Sequence, residues 1–132
     1  MIKFHEIKNG DIVQVDYEGQ RFEGEVQELD HEDKLVRVQT GEQEFWYAPV
    51  DLFPIPLDDN QLTKLKFSKE QNGDQSVKYM RGPFRILLPE KDQFGQFEMW
   101  YREDRRHISH PIGVHELQNF YHQMTKVDLT RD

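Results

Sequence analysis

Histidine is the residue of this sequence best suited to bind a metal ion, and four of the six histidines lie in the C-terminal part of the chain. These four are His107, His110, His115 and His122, with Glu116 beside the third. Imidazole and carboxylate groups hold zinc or iron only where they converge. His107 and His110 occupy opposite faces of a predicted strand, and His115 and His122 lie about 10.5 Å apart along a predicted helix. We therefore predict no metal site.

Other patterns associated with catalysis are also missing from the sequence. The chain has no cysteine, which excludes disulfides, thiolate metal sites and cysteine nucleophiles. No serine lies in a G-x-S-x-G elbow, and the glycines punctuate strands instead of opening a helix as a phosphate loop does. We predict a protein that is not an enzyme and needs no cofactor.

The elements that position side chains in the first half are short strands separated by turn residues. Alternation places three sets of residues on inner faces: Val13, Val15 and Tyr17, then Phe22, Gly24 and Val26, then Val36 and Val38. A glycine inside such a strand marks a bend or a close backbone approach. A fourth strand carries Phe45-Trp46-Tyr47, before prolines end strand pairing. Four strands in so short a segment predict a small barrel.

Residues 57–132 carry the pattern of an α-β-meander-α unit. Asp58 caps a predicted helix from about Asp59 to Lys66, and strand patterns follow at 76–80, 84–88, 96–102 and 105–109. A closing helix has one apolar stripe, formed by Val114, Leu117, Phe120, Tyr121 and Met124. The predicted fold class is α+β, mostly β, with domains at 1–56 and 57–132.

The net charge of −8 is carried by the first half of the chain. Residues 1–56 hold 13 acidic and 5 basic side chains, whereas residues 57–132 hold 12 of each. An acidic surface repels phosphate backbones, so we expect a basic peptide or protein partner for this half in preference to nucleic acid. The sequence shows no signal peptide and no membrane span, and we expect a cytoplasmic protein without membrane contact.

Two family resemblances accompany these patterns. Gly10-Asp11, Tyr17, Gly19 and the strand containing Phe22 and Val26 resemble Tudor and related SH3-like small barrels. That resemblance implies an SH3-like barrel with an aromatic cage for methylated lysine or arginine, formed here by Tyr17, Phe22, Phe45, Trp46 and Tyr47. The segments PIPLDDNQLTKLKF and VHELQNFYHQMT resemble a family of uncharacterised bacterial and phage-encoded proteins, which implies no activity.

These observations lead to two sets of candidate binding residues. The first set, for a basic partner, consists of Asp16, Tyr17, Glu18, Phe22, Phe45, Trp46 and Tyr47. Alternation places Trp46 on the face opposite its two neighbours, and an exposed Trp is a typical binding hot spot. The second set would serve an accessory protein that binds nucleic acid, with aromatic stacking beside cations, and consists of Trp100, Arg102, Arg105 and Arg106. The oligomeric state stays open.

Overall fold

A computed structural model describes all 132 residues of the chain. The strands are β1 (Ile12–Tyr17), β2 (Gln20–Asp30), β3 (Leu35–Thr40), β4 (Gln43–Tyr47), β5 (Leu52–Phe53), β6 (Ser68–Gln71), β7 (Val77–Arg81), β8 (Phe84–Leu88), β9 (Phe97–Tyr101) and β10 (Asp104–Ile108). The α-helices are α1 (Asp59–Lys64) and α2 (Val114–Thr125). The predicted α+β class with mostly β structure is confirmed. None of the helices combines the length and the apolar character needed to cross a membrane.

The chain divides into two compact units, neither of which is one continuous segment. The first unit comprises Met1–Ile55 and Gly113–Gln118, and the second comprises Pro56–Ile112 and Asn119–Asp132. The sequence suggested a single boundary near residue 56. It did not indicate that the start of α2 belongs with the first unit, because the apolar stripe of α2 runs through the helix without a break.

The first unit contains a five-stranded antiparallel sheet with the strand order β4-β3-β2-β1-β5. Its buried inner face follows from the predicted period-2 alternation and is formed by Val13, Val15, Val26, Val36, Val38, Tyr47 and Leu52. Ile2 and Ile7 from the preceding segment complete this core. A bulge between Val26 and Glu28 interrupts the register of the long strand β2. The arrangement is compatible with a small β-barrel.

Gly24 lies at a close approach of strands β2 and β3. A Cβ atom at this position would lie 2.5 Å from Val38 Cγ1, 2.8 Å from the carbonyl oxygen of Gln39 and 2.8 Å from Thr40 Cγ2. Real Cβ contacts are not this short, so β3 can lie against β2 only because residue 24 has no side chain. The close approach predicted from the glycine is confirmed.

A side chain near the middle of α2 completes the backbone hydrogen bonding at the start of β1. The backbone N–H of Ile12 donates to Gln118 Oε1 at 2.7 Å, and Gln118 Nε2 donates to the carbonyl oxygen of Gly10 at 2.9 Å. Gln118 is fully buried. Buried backbone groups need such partners, so this side chain supplies what no neighbouring strand supplies at the start of β1.

The second unit begins with the capped helix that the sequence predicted. Asp58 Oδ1 accepts a hydrogen bond from the backbone N–H of Gln61 at 2.8 Å, which confirms the N-cap. The helix ends at Lys64, two residues before the predicted end, because Lys66 adopts a left-handed backbone with φ 66°. The hydroxyl of Tyr79 then donates to Asp59 Oδ1 at 2.7 Å and links β7 to the first turn.

A second five-stranded antiparallel sheet has the order β10-β9-β8-β7-β6. Its buried residues are Val77, Tyr79, Phe84, Ile86, Leu88, Phe97, Met99 and Ile108. The C-terminal part of α2 packs here, with the rings of Phe84 and Tyr121 centred 4.8 Å apart. Strands β5 and β6 were not predicted: β5 has only two residues, and all four residues of β6 are exposed and polar, so neither produces an alternating pattern.

Candidate functional site

An open groove lies at one end of the first sheet. The inner face that forms the core continues beyond the buried residues, because Tyr17 follows Val15 in phase on β1, and Phe45 precedes Tyr47 in phase on β4. The groove encloses about 470 Å³ and is lined by Tyr17, Glu18, Gln20, Phe22, Glu23, Thr40, Gly41, Gln43, Phe45 and Tyr47. The aromatic part of its wall therefore continues the inner face of the sheet to an end where Tyr17, Phe22 and Phe45 stay exposed.

Aromatic rings form the apolar wall of the groove. The rings of Tyr17 and Phe45 are stacked, with centroids 5.4 Å apart and planes inclined by 7°. Tyr47 meets Phe45 edge-on at 6.5 Å. Tyr17, Phe22 and Phe45 remain 42%, 41% and 40% exposed. A rigid pair of stacked rings that stays in water presents an apolar surface without further ordering of its side chains.

Acidic and amide side chains form the rest of the wall. Glu18 lies in the tight turn between β1 and β2, where its φ of 52° and that of Gly19 at 81° match a type I′ turn. Glu23 lies on β2 beside the groove. No lysine or arginine lines the groove, so its chemistry favours a cationic ligand over an anionic one.

The structure brings together most, though not all, of the first predicted set. Tyr17, Glu18, Phe22, Phe45 and Tyr47 all line the groove. Trp46 lies on the opposite face of β4, as alternation predicted, and is 45% exposed. Asp16 also lies outside the groove, on the opposite face of β1 from Tyr17, where it is paired in register with Arg21. An aromatic cage that includes Trp46 is therefore not formed.

The protonation of Tyr47 is set by its position at the base of the groove. Burial, followed by the charges of Tyr17 and Asp51, raises the pKa of Tyr47 above its ordinary value. The phenol is therefore neutral throughout the physiological range. It can donate a hydrogen bond, but it adds no negative charge to the site.

Five groove residues were not predicted: Gln20, Glu23, Thr40, Gly41 and Gln43. Gln20 is paired with Tyr17 across the β1–β2 hairpin, and Gln43 is paired with Thr40 across the β3–β4 hairpin. The hairpin turns are visible in the sequence, and extending the register from each turn would have identified these neighbours. The missing information was which end of the sheet stays uncovered.

The second predicted set is divided between two faces of the second sheet. Arg105 lies directly opposite Trp100, with its guanidinium carbon 4.2 Å from the indole centroid. Arg85, which was not predicted, is the neighbour of Trp100 on β8. Arg106 faces the other way and donates to Asp104 and to Gln123 Oε1. Arg102 lies in the β9–β10 turn, 5.1 Å from the ring of Tyr101.

The histidines do not converge. No group of three or more potential metal ligands is present in the structure. His122 lies 3.0 Å from Asp128 at the surface, whereas His115 is only 2% exposed and its Nδ1 has no hydrogen-bond partner. Burial lowers the pKa of His115, outweighing the opposing charges of Glu116 and Glu6. The sequence pattern did not single out His115 as a core residue.

Comparison of the chain with protein-family models, with curated proteins and with solved structures finds no match. The function must therefore be argued from the geometry of the groove and from the two sheets.

Proposed function

We propose that the groove binds a basic segment of a protein partner. The observation that carries the proposal is the stacked and exposed pair of Tyr17 and Phe45, held in one groove with Glu18 and Glu23. Aromatic faces attract ammonium and guanidinium groups, and nearby carboxylates add a long-range attraction. A lysine or arginine side chain satisfies both features at once.

The expected strength of this interaction is modest for each contact. A cation over an aromatic face contributes about 0.5–2 kcal/mol, depending on how far the site excludes water. The excess of acidic residues in positions 1–56 would favour encounter with a basic segment and disfavour phosphate backbones. Affinity would then come from several side chains of an extended partner segment, because one cation alone gives too little.

The proposal includes a non-enzymatic role in the cytoplasm and an SH3-like, Tudor-like identity for the first sheet. The order of its strands and its two-residue hairpins support that identity. The resemblance of the second half to bacterial and phage-encoded proteins is retained as part of the same proposal. Nothing in the groove suggests a reaction, since it contains no nucleophile paired with a base.

A direct test uses a fluorescein-labelled nonapeptide of alternating lysine and threonine, with glutamate in place of lysine as the control peptide. Fluorescence anisotropy should show salt-sensitive binding of the lysine peptide only. Phe45→Ala should weaken binding by about 2- to 30-fold, which is the range that one cation–π contact supplies. Glu18→Gln should weaken binding and also reduce its dependence on salt.

Matched variants separate the groove from the rest of the surface. Trp100→Ala removes an aromatic side chain from the second sheet, and Glu103→Gln neutralises an exposed acid in the β9–β10 turn; both should leave peptide binding unchanged. Equal binding of the two peptides, or full binding by Phe45→Ala, would reject the groove as the site. Binding of single-stranded DNA that Trp100→Ala abolishes would favour the alternative function in nucleic-acid association.

A further inference from the structure

Strand β4 forms an open edge of the first sheet. It lies at the end of the strand order and pairs only with β3. Four of its five residues, from Gln43 to Trp46, are exposed. The opposite edge is formed by β5, which has two residues. β4 is therefore the longer edge of this sheet, and it carries two of the protein's exposed aromatic side chains, Phe45 and Trp46.

The hairpin register determines which backbone groups of β4 point outward. Thr40 and Gln43 flank the two-residue loop Gly41-Glu42, and in such hairpins the flanking residues exchange both ladder hydrogen bonds. Hydrogen-bonded and non-hydrogen-bonded pairs then alternate along the two strands. Phe45 therefore exchanges backbone hydrogen bonds with Val38, whereas Glu44 and Trp46 make none with Gln39 and Arg37, the residues opposite them. The N–H and C=O groups of Glu44 and Trp46 are thus directed away from β3, and no other backbone group in the protein bonds to them.

Natural sheet edges are usually protected against pairing. The common protections are lysine, proline, a bulge or a covering segment. The sequence of β4, QEFWY, contains neither lysine nor proline, and its register with β3 is continuous. Glu44 is the one charged residue on the strand, and its carboxylate is held by Arg37 Nη1 at 2.9 Å. The edge therefore has free backbone groups without a protecting device.

We propose that a basic, extended segment of a protein partner pairs with β4 as an additional strand, with alternate side chains entering the groove. The inference rests on the proposed function and adds the conformation and direction of the ligand. Residues of the added strand on the Phe45 face point toward Tyr17 and Glu18, which selects lysine or arginine at every second position. Residues on the other face lie over Trp46 and need no charge.

Backbone methylation of the probe peptide tests this pairing directly. Two versions of the lysine–threonine nonapeptide carry N-methyl groups either on the lysines or on the threonines, so each serves as the control for the other. In an added strand only one of the two sets directs its N–H groups at β4. One version should therefore bind about tenfold more weakly or not at all, and the other should bind like the parent peptide. Loss of binding when the threonine nitrogens are methylated indicates antiparallel pairing with β4. Loss of binding when the lysine nitrogens are methylated indicates parallel pairing.

Amide hydrogen exchange of the protein supplies the complementary readout. The parent peptide should slow exchange of the Glu44 and Trp46 amides and leave that of Phe45, already bonded to β3, unchanged. If the parent peptide binds and both methylated versions bind as well as the parent, the proposed strand pairing with β4 is wrong, but the proposed binding of a basic segment in the groove is still supported. If the parent peptide does not bind, the strand pairing and the proposed function are both wrong. Protection of Glu44 and Trp46 that rises with protein concentration alone, together with a dimer in sedimentation, would identify a second copy as the occupant and overturn the peptide proposal.

Discussion

Replacing Gly24 by alanine tests whether the close packing of β2 on β3 supports the groove. The backbone of Gly24 does not require positive φ, so alanine can adopt it and the substitution changes only the space available. The added Cβ would meet Val38 Cγ1 at 2.5 Å and the Gln39 carbonyl oxygen at 2.8 Å. Both neighbours belong to β3, and the carbonyl can move away only if the two strands separate.

Two opposing effects set the magnitude. Overpacking of a well-packed site costs about 1–3 kcal/mol, whereas exchange of glycine for alanine stabilises by about 0.4–1 kcal/mol through the unfolded chain. The overpacking cost should exceed the gain because the Gln39 carbonyl oxygen belongs to the backbone and cannot move without the strand. We therefore expect Gly24→Ala to lower the free energy of unfolding by about 1–2 kcal/mol. Phe22 and Thr40, each close to this contact, line the groove, so peptide binding should weaken as well.

Urea unfolding followed by far-UV circular dichroism measures the stability change, and anisotropy with the lysine peptide measures binding. Gly73→Ala is the matched control, because a Cβ at Gly73 meets nothing within 4 Å. That control should be neutral or slightly stabilised. A Gly24→Ala variant as stable as Gly73→Ala would show that β3 is not packed against β2 as described, and the account of the groove walls would fail with it.

Three further predictions concern the polar interior. Gln118→Leu should lower the free energy of unfolding by about 1–3 kcal/mol for each backbone group left unpaired, the buried N–H of Ile12 first, as measured by urea unfolding. Tyr79→Phe should cost about 0.5–1.5 kcal/mol through loss of the bond to Asp59, and should raise the pKa of Asp59 measured by NMR titration, because that bond lowers it. Burial lowers the pKa of His115 from 6.5 in the folded state, so the unfolded chain binds the extra proton more readily. Stability should therefore fall as pH drops below 6.5, by up to about 1.4 kcal/mol per pH unit, and level off below the folded-state pKa.

Matched variants distinguish each effect from a general loss of stability. Gln96→Leu alters an exposed glutamine in the loop before β9, and Tyr101→Phe removes the hydroxyl of a half-buried tyrosine on β9. Both should be nearly neutral. His31→Gln, at an exposed position, should retain the decline below pH 6.5, and His115→Gln should remove it. A decline that persists in His115→Gln would assign the effect to another group.

Local rules account for the parts of the fold that the sequence predicted. The cap at Asp58, the strand phases and the opposite orientation of Trp46 each depend on residues within a few positions of one another. The early end of α1 is a local effect that was missed, since a lysine rarely adopts the left-handed conformation seen at Lys66. β6 was missed because its exposed polar residues carry no alternation.

The groove and the buried polar groups depend on contacts between distant segments. Tyr17 and Phe45 are both aromatic residues in strand phase, but their stacking requires β1 and β4 to converge at one end of the sheet. In the same way, nothing near Gln118 in the sequence shows that its amide would bond to Gly10 and Ile12, more than a hundred positions away. Pattern analysis assigns faces to residues, whereas such partnerships follow only from tertiary structure.

The pairing of Ile12 with Gln118 has a consequence for the order in which the protein can mature during translation. A ribosome releases the strands of the first sheet early, yet the side chain that bonds the Ile12 amide is made more than a hundred residues later. Until then the start of β1 must bond to water or to a chaperone. The first unit therefore reaches its final hydrogen bonding only after most of the second unit has been synthesised, and an isolated fragment ending at residue 55 should be a poor substitute for it in binding experiments.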